Sequence, residues 1–498
     1  PIPELFKKPT IKGLSGYIQE AGKDRYTPVE PGEKKDYYFL SSAQKRLYII
    51  QHMDLNSTAY HMPNIIYLTE KPNIMKLEDI FLKLIKRHES LRTSFHLVKD
   101  QPVQRVHENV VFSVEYYEVG NLISKTGNKK GLKEIVNIFE QPFDLSKPPF
   151  LKGGVIKLED EKYVLVVIMH HIITDGVSHD IFQKEFFMLY GNEKLPPRPI
   201  QYKDFSQWQN KLFETGEMKS QERYWMNRFE GKIPRLNVPT DYPRPAIKNF
   251  EGKSISCPLN KEISKKLHEL TGKTGTTLYM ALLAAYNILL YKYTRQEDII
   301  IGSPITGRRH ADLQNIIGMF VNMLAVRSKP TADKTFRDFL LEVKETVIGA
   351  MENQDFQFDE LVAKLALQVD KNRNPLFDVV LAMQNMVSGK QKNTDKKNHR
   401  NDNGSMKDIS RYRYELRKAR FDLTLFVSEN NEDISIALEY STEIFKDSKA
   451  VNLIEHYIEI LGQLVENYDI KLKDVVISHG LLTSKSNIPE VDGDVFDF

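Results

Sequence analysis

Residues 163–178 read YVLVVIMHHIITDGVS, and the reading of this stretch decides the fold. Tyr163 to Met169 is a run of strand formers, too short to span a bilayer and too rich in β-branched side chains for a comfortable helix, so it predicts a buried strand. His170 and His171 follow at its end and, by the alternation of a strand, point to opposite faces. One imidazole then looks into a cavity and the other into the fold, while Asp175-Gly176 turns the chain sharply just beyond. A histidine at the mouth of a strand is a candidate general base, because its ordinary pKa lies near working pH. A bare His-His pair also suits a structural or a metal-binding role. Metal is the weaker option: no cysteine pair and no histidine at helical zinc spacing accompanies it, and His179 stands eight positions from His171 without a companion carboxylate pattern.

The full string, from Met169-His170-His171 to Asp175-Gly176-Val177-Ser178, is similar to the His-His-x-x-x-Asp-Gly signature of the condensation domains of nonribosomal peptide synthetases. Chloramphenicol acetyltransferase and related acyltransferases share this core more loosely. Upstream, Ser42-Ala43-Gln44-Lys45-Arg46-Leu47-Tyr48 and Arg87-His88-Glu89-Ser90-Leu91-Arg92-Thr93-Ser94-Phe95 resemble the first two motifs of the family. Downstream, Tyr202-Lys203-Asp204-Phe205-Ser206-Gln207-Trp208, Ile317-Gly318-Met319-Phe320-Val321-Asn322, Asn353-Gln354-Asp355-Phe356 and Arg373-Asn374-Pro375-Leu376 follow in the family's order. The resemblance runs from about Tyr38 to Ser478. Gln357 stands where the family often has proline, and Lys371-Asn372 loosen the start of the last motif; neither touches the proposed chemistry.

The resemblance implies an α/β, chloramphenicol acetyltransferase-like fold: two similar lobes forming a V-shaped pseudo-dimer, with a central tunnel and His171 near its middle. Periodicity by itself gives only mixed helices and sheets in two lobes. The implied activity is peptide bond formation between an upstream carrier-bound aminoacyl or peptidyl thioester and the α-amine of a downstream carrier-bound aminoacyl thioester. His171 matches the catalytic position and either accepts the amine proton or holds the amine by a hydrogen bond. His170 is expected to face the interior and support the loop. Asp175 resembles the family residue that forms a buried ion pair with an arginine, for which Arg87, Arg92 and Arg46 are the candidates, in that order. Gly176 is expected where a close backbone turn leaves no room for a side chain. Asn322 is a candidate polar link between the lobes, with a plain strand amide as the alternative, and Trp208 is read as a packing residue.

No cofactor and no metal is expected in the chain itself, because substrates arrive on the phosphopantetheine arms of carrier domains. The partners implied are the upstream donor and downstream acceptor carrier domains and a downstream adenylation domain, with no nucleic acid and no membrane, around a monomer. The aspartate-based motif of heterocyclization domains is absent, and Ser42 to Tyr48 with Tyr60-His61-Met62-Pro63 resembles the subtype that joins an L-configured donor to an L-configured acceptor. A catalytically silent recruitment domain and a coenzyme A-dependent acyltransferase of the same fold are the other readings.

Composition agrees with this class. The chain of 498 residues is long for one hydrophobic core, so two lobes are expected. A formal charge of +3 gives no support for nucleic-acid binding. The single cysteine, Cys257, excludes an internal disulfide and fits a reducing cytoplasm. The opening PIPELFKKPT lacks the apolar core of a signal peptide, and Leu278 to Tyr291 is too short to cross a bilayer.

Residues 1–24 resemble the last helix of a peptidyl carrier domain, with Pro9 near the start of a short amphipathic helix from Leu14 to Ile18, and residues 25–37 read as a polar linker. The first lobe is assigned to 38–198, ending at Leu195-Pro196-Pro197-Arg198-Pro199, since three prolines in five residues cannot continue a helix. The second lobe, 199–480, is expected to open with a helix through Trp208 and Trp225. An apolar helix from Thr276 to Tyr293, a strand from Asp298 to Gly302, a helix from Phe336 to Met351, and paired strands at Leu376–Met383 and Phe421–Val427 follow. Ser388 to Lys407 reads as a solvated loop, and residues 481–498 as the start of a linker to the adenylation domain.

Overall fold

The computed structural model describes residues 10–20, 28–68, 70–118, 139–157, 163–367, 370, 372–385, 411–412, 418–430 and 433–478. Tyr163–His170 is the central strand of a five-stranded sheet, and all of its residues are buried. His61–Leu68 pairs with it antiparallel on one side and Leu151–Lys157 antiparallel on the other. Val114–Glu118 lies parallel to Leu151–Lys157 at one edge. A strand covered on both faces has no polar side, which is why its sequence is continuously apolar and does not alternate. The helix Ile74–Arg87 covers this sheet with Leu77, Ile80, Phe81, Leu84 and Ile85, one face of a 3.6-residue repeat. Its first turn is capped by Asn73, whose side chain accepts from the Lys76 amide at 3.1 Å.

A second core surrounds a six-stranded sheet with the spatial order Asn322–Ser328, Ile299–Ile305, Val379–Asn385, Leu423–Asn430, Asp433–Ser441, Gly252–Pro258. Val379–Asn385 and Leu423–Asn430 pair in parallel. The helix Leu278–Thr294 is apolar all round because it is enclosed by the helices Phe336–Glu352 and Asp447–Glu466 and by the sheet.

The expected single helix through Trp208 and Trp225 is two helices, Tyr202–Glu214 and Lys219–Arg228. Gly216, at φ 76°, separates them with a left-handed backbone that the helical repeat cannot absorb. The first of the two is fastened to the N-terminal half. Tyr202 Oη lies 2.7 Å from Ser41 Oγ, the Ser42 amide donates to Gln209 Oε1 at 2.9 Å, and Gln104 Nε2 donates to Ser206 Oγ at 2.8 Å. Tyr202 and Phe205 join Val29, Leu313, Ile316 and Phe320 in a small third core. Part of the polar stretch before Tyr38 is therefore anchored, with the Gly32 amide also donating to Asp204 Oδ1 at 2.8 Å.

The two halves exchange segments. Ile317, Met319 and Val321 lie in the first core, and Arg411–Tyr412 pairs with Ile66 and Ile65 at the outer edge of the first sheet. Near the N-terminus, Ile11–Glu20 is helical, while Pro9 lies outside the described residues, as do Ser388–Lys407 and 481–498. Among the described residues no helix is long and apolar enough to cross a membrane.

Candidate active site

The buried strand ends at His170, and the chain does not simply continue as a strand. His170 Nδ1 accepts from the Ile172 amide at 3.0 Å, which starts a single 3-10 turn, His171–Ile173. Since Nδ1 accepts, the ring proton sits on Nε2, 3.1 Å from Gln51 Oε1. Burial, with His171 and Arg420 nearby, lowers the His170 pKa to about 3. His170 is thus a closed interior group that shapes the turn.

His171 is held from two sides: its amide donates to the Tyr60 carbonyl at 2.8 Å, and its Nδ1 lies 2.7 Å from the Thr174 carbonyl. A carbonyl can only accept, so Nδ1 carries the proton and Nε2 presents a lone pair. Nε2 has no hydrogen-bond partner among the described residues. Burial, then Arg420 and Arg46, lower the pKa of this imidazole to about 3, so it is neutral at physiological pH.

Asp175 caps the helix Gly176–Tyr190, with Oδ1 accepting from the Ser178 amide at 2.7 Å. Its ionic partner is Arg308, at 2.9 and 3.1 Å. This corrects the expectation of Arg87, Arg92 or Arg46, each of which is engaged elsewhere. Arg87 pairs with Glu185 at 2.9 Å, Arg92 with Glu89 at 3.6 Å and with the His107 carbonyl, and Arg46 with Asp359 at 3.6 Å. Burial alone would raise the Glu185 carboxyl, but His88, Arg87 and Arg198 hold it down at about 2.

Both side chains of the Asp175–Arg308 pair are 1% exposed, and both end nitrogens of the guanidinium are answered, Nε alone having no partner among the described residues. Arg308 Nη1 donates to the Leu313 and Ile316 carbonyls, Nη2 also reaches Ser178 Oγ at 2.7 Å, and the guanidinium lies 3.9 Å from the centre of the Phe320 ring. The Phe320 amide donates to Asp175 Oδ2 at 3.1 Å, and Ser178 Oγ bonds both the amide and the carbonyl of Gly318. The loop from Gly307 to Val321 is in this way bolted to the helix that follows the histidines.

Gly176 is the first residue of that helix, with a backbone outside the left-handed region. The glycine that close approach does demand is Gly318, where a Cβ would lie 1.8 Å from the Tyr202 ring. Asn322 does not link the lobes. Its side chain donates to the Gln354 and Phe356 carbonyls and accepts from the Phe358 amide at 3.0 Å, all within the second half. Trp208 packs between the second and third cores. Among the described residues no group of three His, Cys, Asp or Glu side chains is placed to hold a metal ion.

Sequence reasoning missed three residues here. Arg308 follows Gly307 at the end of the buried strand Ile299–Ile305, and a cation just after such a strand was the available signal. Lys418 reaches across to the first half, donating to Glu140 at 2.8 Å and to Thr58 Oγ1. Arg420 lies over the Tyr60 ring, 5.1 Å from its centre, and the Tyr60 and His171 rings are 6.4 Å apart. Both cations sit just before the strand Leu423–Asn430.

A condensation domain family model matches residues 34–480. The chain is 43% identical over 479 residues to gramicidin S synthase 2 of Brevibacillus brevis, and 44% identical over 477 residues to tyrocidine synthase 3 of Brevibacillus parabrevis. These matches take in 95% and 96% of the chain but only 10% and 7% of the relatives' length. Among solved structures, the X-domain of teicoplanin biosynthesis in complex with OxyB superposes with a TM-score of 0.81 at 22% identity, covering 92% of this chain and 99% of that one. A four-domain nonribosomal peptide synthetase bound to AMP and glycine gives 0.78 at 20% identity, over 92% of this chain and 35% of that one. The chain belongs to the condensation domain family of nonribosomal peptide synthetases and has its chloramphenicol acetyltransferase-like fold.

Proposed function

We propose that the chain forms amide bonds between carrier-tethered substrates: the α-amine of a downstream aminoacyl thioester attacks the carbonyl of an upstream aminoacyl or peptidyl thioester. The observation that carries this reading is the His171 imidazole, whose Nδ1 proton is committed to the Thr174 carbonyl while Nε2 keeps a free lone pair. A thioester is already activated, so no covalent enzyme intermediate is required. The carbon–nitrogen bond forms as the carbonyl π pair moves to oxygen. The nitrogen then loses a proton, the carbonyl reforms, and the carbon–sulfur bond breaks to release the donor arm as its thiol.

An imidazole with a pKa near 3 is a weak proton sink and a good hydrogen-bond acceptor. On this reading His171 first orients the neutral amine, and positioning of two tethered substrates supplies more of the rate than proton abstraction does. The chain itself carries no cofactor, and the phosphopantetheine arms belong to the carriers. The finer reading is an L-donor, L-acceptor domain of a monomeric, cytoplasmic enzyme. In it, residues 1–24 end an upstream carrier, 38–198 and 199–480 form the lobes of a V around a tunnel, and 481–498 lead to an adenylation domain.

Single-turnover condensation with two preloaded carriers tests the assignment. The wild-type chain is expected to form the amide, and His171→Ala to lower the rate by at least about 100-fold with an unchanged melting curve. Near-wild-type turnover by the variant would remove His171 from the mechanism. Transfer from acyl-coenzyme A, or no transfer at all, would favour the acyltransferase or the silent recruitment reading.

A further inference from the structure

Of the two cations that lower the His171 pKa, Arg46 is paired with Asp359 and Arg420 is paired with no described residue. Its backbone is pinned from several directions: its carbonyl accepts from Lys248 Nζ at 2.7 Å and from Asn374 Nδ2 at 3.2 Å. On one side the Ala419 amide donates to the Phe250 carbonyl at 2.8 Å, and on the other the Asp422 amide donates to the Asp378 carbonyl at 2.8 Å. Asp422 is held in turn by the Arg244 guanidinium, with one contact at 3.0 Å. Yet the Arg420 guanidinium has no hydrogen bond or ion pair to any described residue; it lies over the face of Tyr60, and the buried Glu439 is near enough to feel its charge. The same Tyr60 supplies the carbonyl that holds the His171 amide. A cation with a rigid base, uncommitted donors and half-buried surroundings therefore flanks the ring next to His171.

We infer that Arg420 is a catalytic residue of the condensation reaction, donating hydrogen bonds to the thioester carbonyl oxygen as that oxygen becomes an alkoxide. The inference rests on the amide-forming reading given above. When the amine nitrogen bonds to the carbonyl carbon, the π pair moves onto oxygen, and one negative charge appears beside the buried His171. His171 faces the nitrogen and its proton; it has no proton on Nε2 with which to meet the oxygen. A guanidinium offers several donors in one plane and stays charged throughout. Because its backbone is already fixed, little reorganisation is needed when the charge develops, which is the condition under which such donors contribute most. As the alkoxide collapses, the carbonyl reforms, the donor sulfur leaves, and the amine proton passes from Nε2 to that sulfur. The same positive charge disfavours an ammonium beside it and so favours the neutral, attacking form of the amine, in line with the lowered pKa of His171.

The test uses the full chain with preloaded donor and acceptor carriers, varying the acceptor carrier to separate kcat from KM. Arg420→Ala and Arg420→Gln are expected to lower kcat by about 100- to 1,000-fold, the usual effect of losing one oxyanion donor, with KM for the carrier unchanged. Guanidinium ion at millimolar concentration is expected to restore part of the Arg420→Ala rate and none of the His171→Ala rate, a response that a purely structural role would not give. If Arg420→Ala is poorly folded, Arg420→Lys, which keeps the charge without the fork, is expected to fold and to fall between wild type and Gln. Wild-type turnover of Arg420→Ala or →Gln beside an inactive His171→Ala would overturn the role of Arg420 alone. So would a loss confined to KM, which marks a contact to the carrier or to a substrate side chain. Failure of the wild-type chain to form any amide would remove the underlying reading, and this one with it.

Discussion

Asp175 commits both carboxylate oxygens to groups that arrive from elsewhere: the Ser178 amide, the Phe320 amide and the Arg308 guanidinium. With no oxygen facing His171, its contribution is to hold the turn and the loop together. Removing one partner of a buried ion pair leaves the other charge without water or counter-ion, at a cost of about 3–5 kcal/mol. Asp175→Ala is therefore expected to lose about that much stability in denaturant unfolding of the whole chain. The pair Asp175→Ala with Arg308→Met should cost less than the sum of the two single changes, because the stranded guanidinium is gone. Additive losses would show that the two groups do not depend on each other.

At the scale of elements, two glycines give opposite expectations. Gly318 sits where a Cβ would meet the Tyr202 ring at 1.8 Å, and Tyr202 is fully buried with its hydroxyl donating to the Met319 carbonyl. Gly462 lies inside the helix Asp447–Glu466, its nearest prospective neighbour being Ile263 Cδ1 at 3.9 Å. Gly318→Ala should lower the unfolding midpoint and condensation activity together, whereas Gly462→Ala should raise stability by about 0.5–1 kcal/mol through helix propensity. A neutral Gly318→Ala would mean that the loop can shift away from Tyr202 at no cost.

Several of these elements are legible in the amino-acid sequence alone. Tyr163–His170 as a buried strand, Leu278–Thr294 as an enclosed helix and the strands Val379–Asn385 and Leu423–Asn430 are legible because their patterns are local, while the parallel direction in which the last two pair is not. The partner of Asp175 was not, because Arg308 lies 133 positions away and no periodicity connects them. The break between the two tryptophan helices was hidden for a different reason: Gly216 is a lone glycine in a polar stretch, and only its φ distinguishes a tolerated helical glycine from a stop.

For the whole molecule, the buried histidines set the response to acid. Burial holds His61, His170 and His171 at about 2, 3 and 3, against about 6.5 in an unfolded chain. Each is neutral in the folded state and charged in the unfolded state between those values. The unfolded chain therefore binds more protons, and stability present above pH 6.5 is lost as pH falls toward 3. At pH 5 each group costs about 2 kcal/mol. Glu439 acts in the opposite sense, since burial raises it from 4.5 to about 7 and its protonated form favours folding over that interval, offsetting part of the effect of the three histidines. Denaturant unfolding should accordingly give a clearly lower stability at pH 5 than at pH 7, still above the 4.5 at which Glu185 protonates in the unfolded chain and its own contribution begins to be lost. Equal stabilities at the two pH values would contradict the neutral, enclosed state of these rings.

The loop from Gly307 to Val321 and the short strand Arg411–Tyr412 have a bearing on recombination between synthetases. A seam cut through Pro196–Pro199 would hand a recipient the carboxylate of Asp175 without its guanidinium, the first core without Ile317, Met319 and Val321, and a sheet edge stripped of its last strand. The unit of inheritance on the donor side of this protein is consequently discontinuous in sequence. A graft that keeps these contacts native has to bring the N-terminal half together with two short passages from far downstream, whereas chimeras that respect only the proline-rich boundary leave the Asp175 pair, the first core and the sheet edge to be completed by the recipient's own residues.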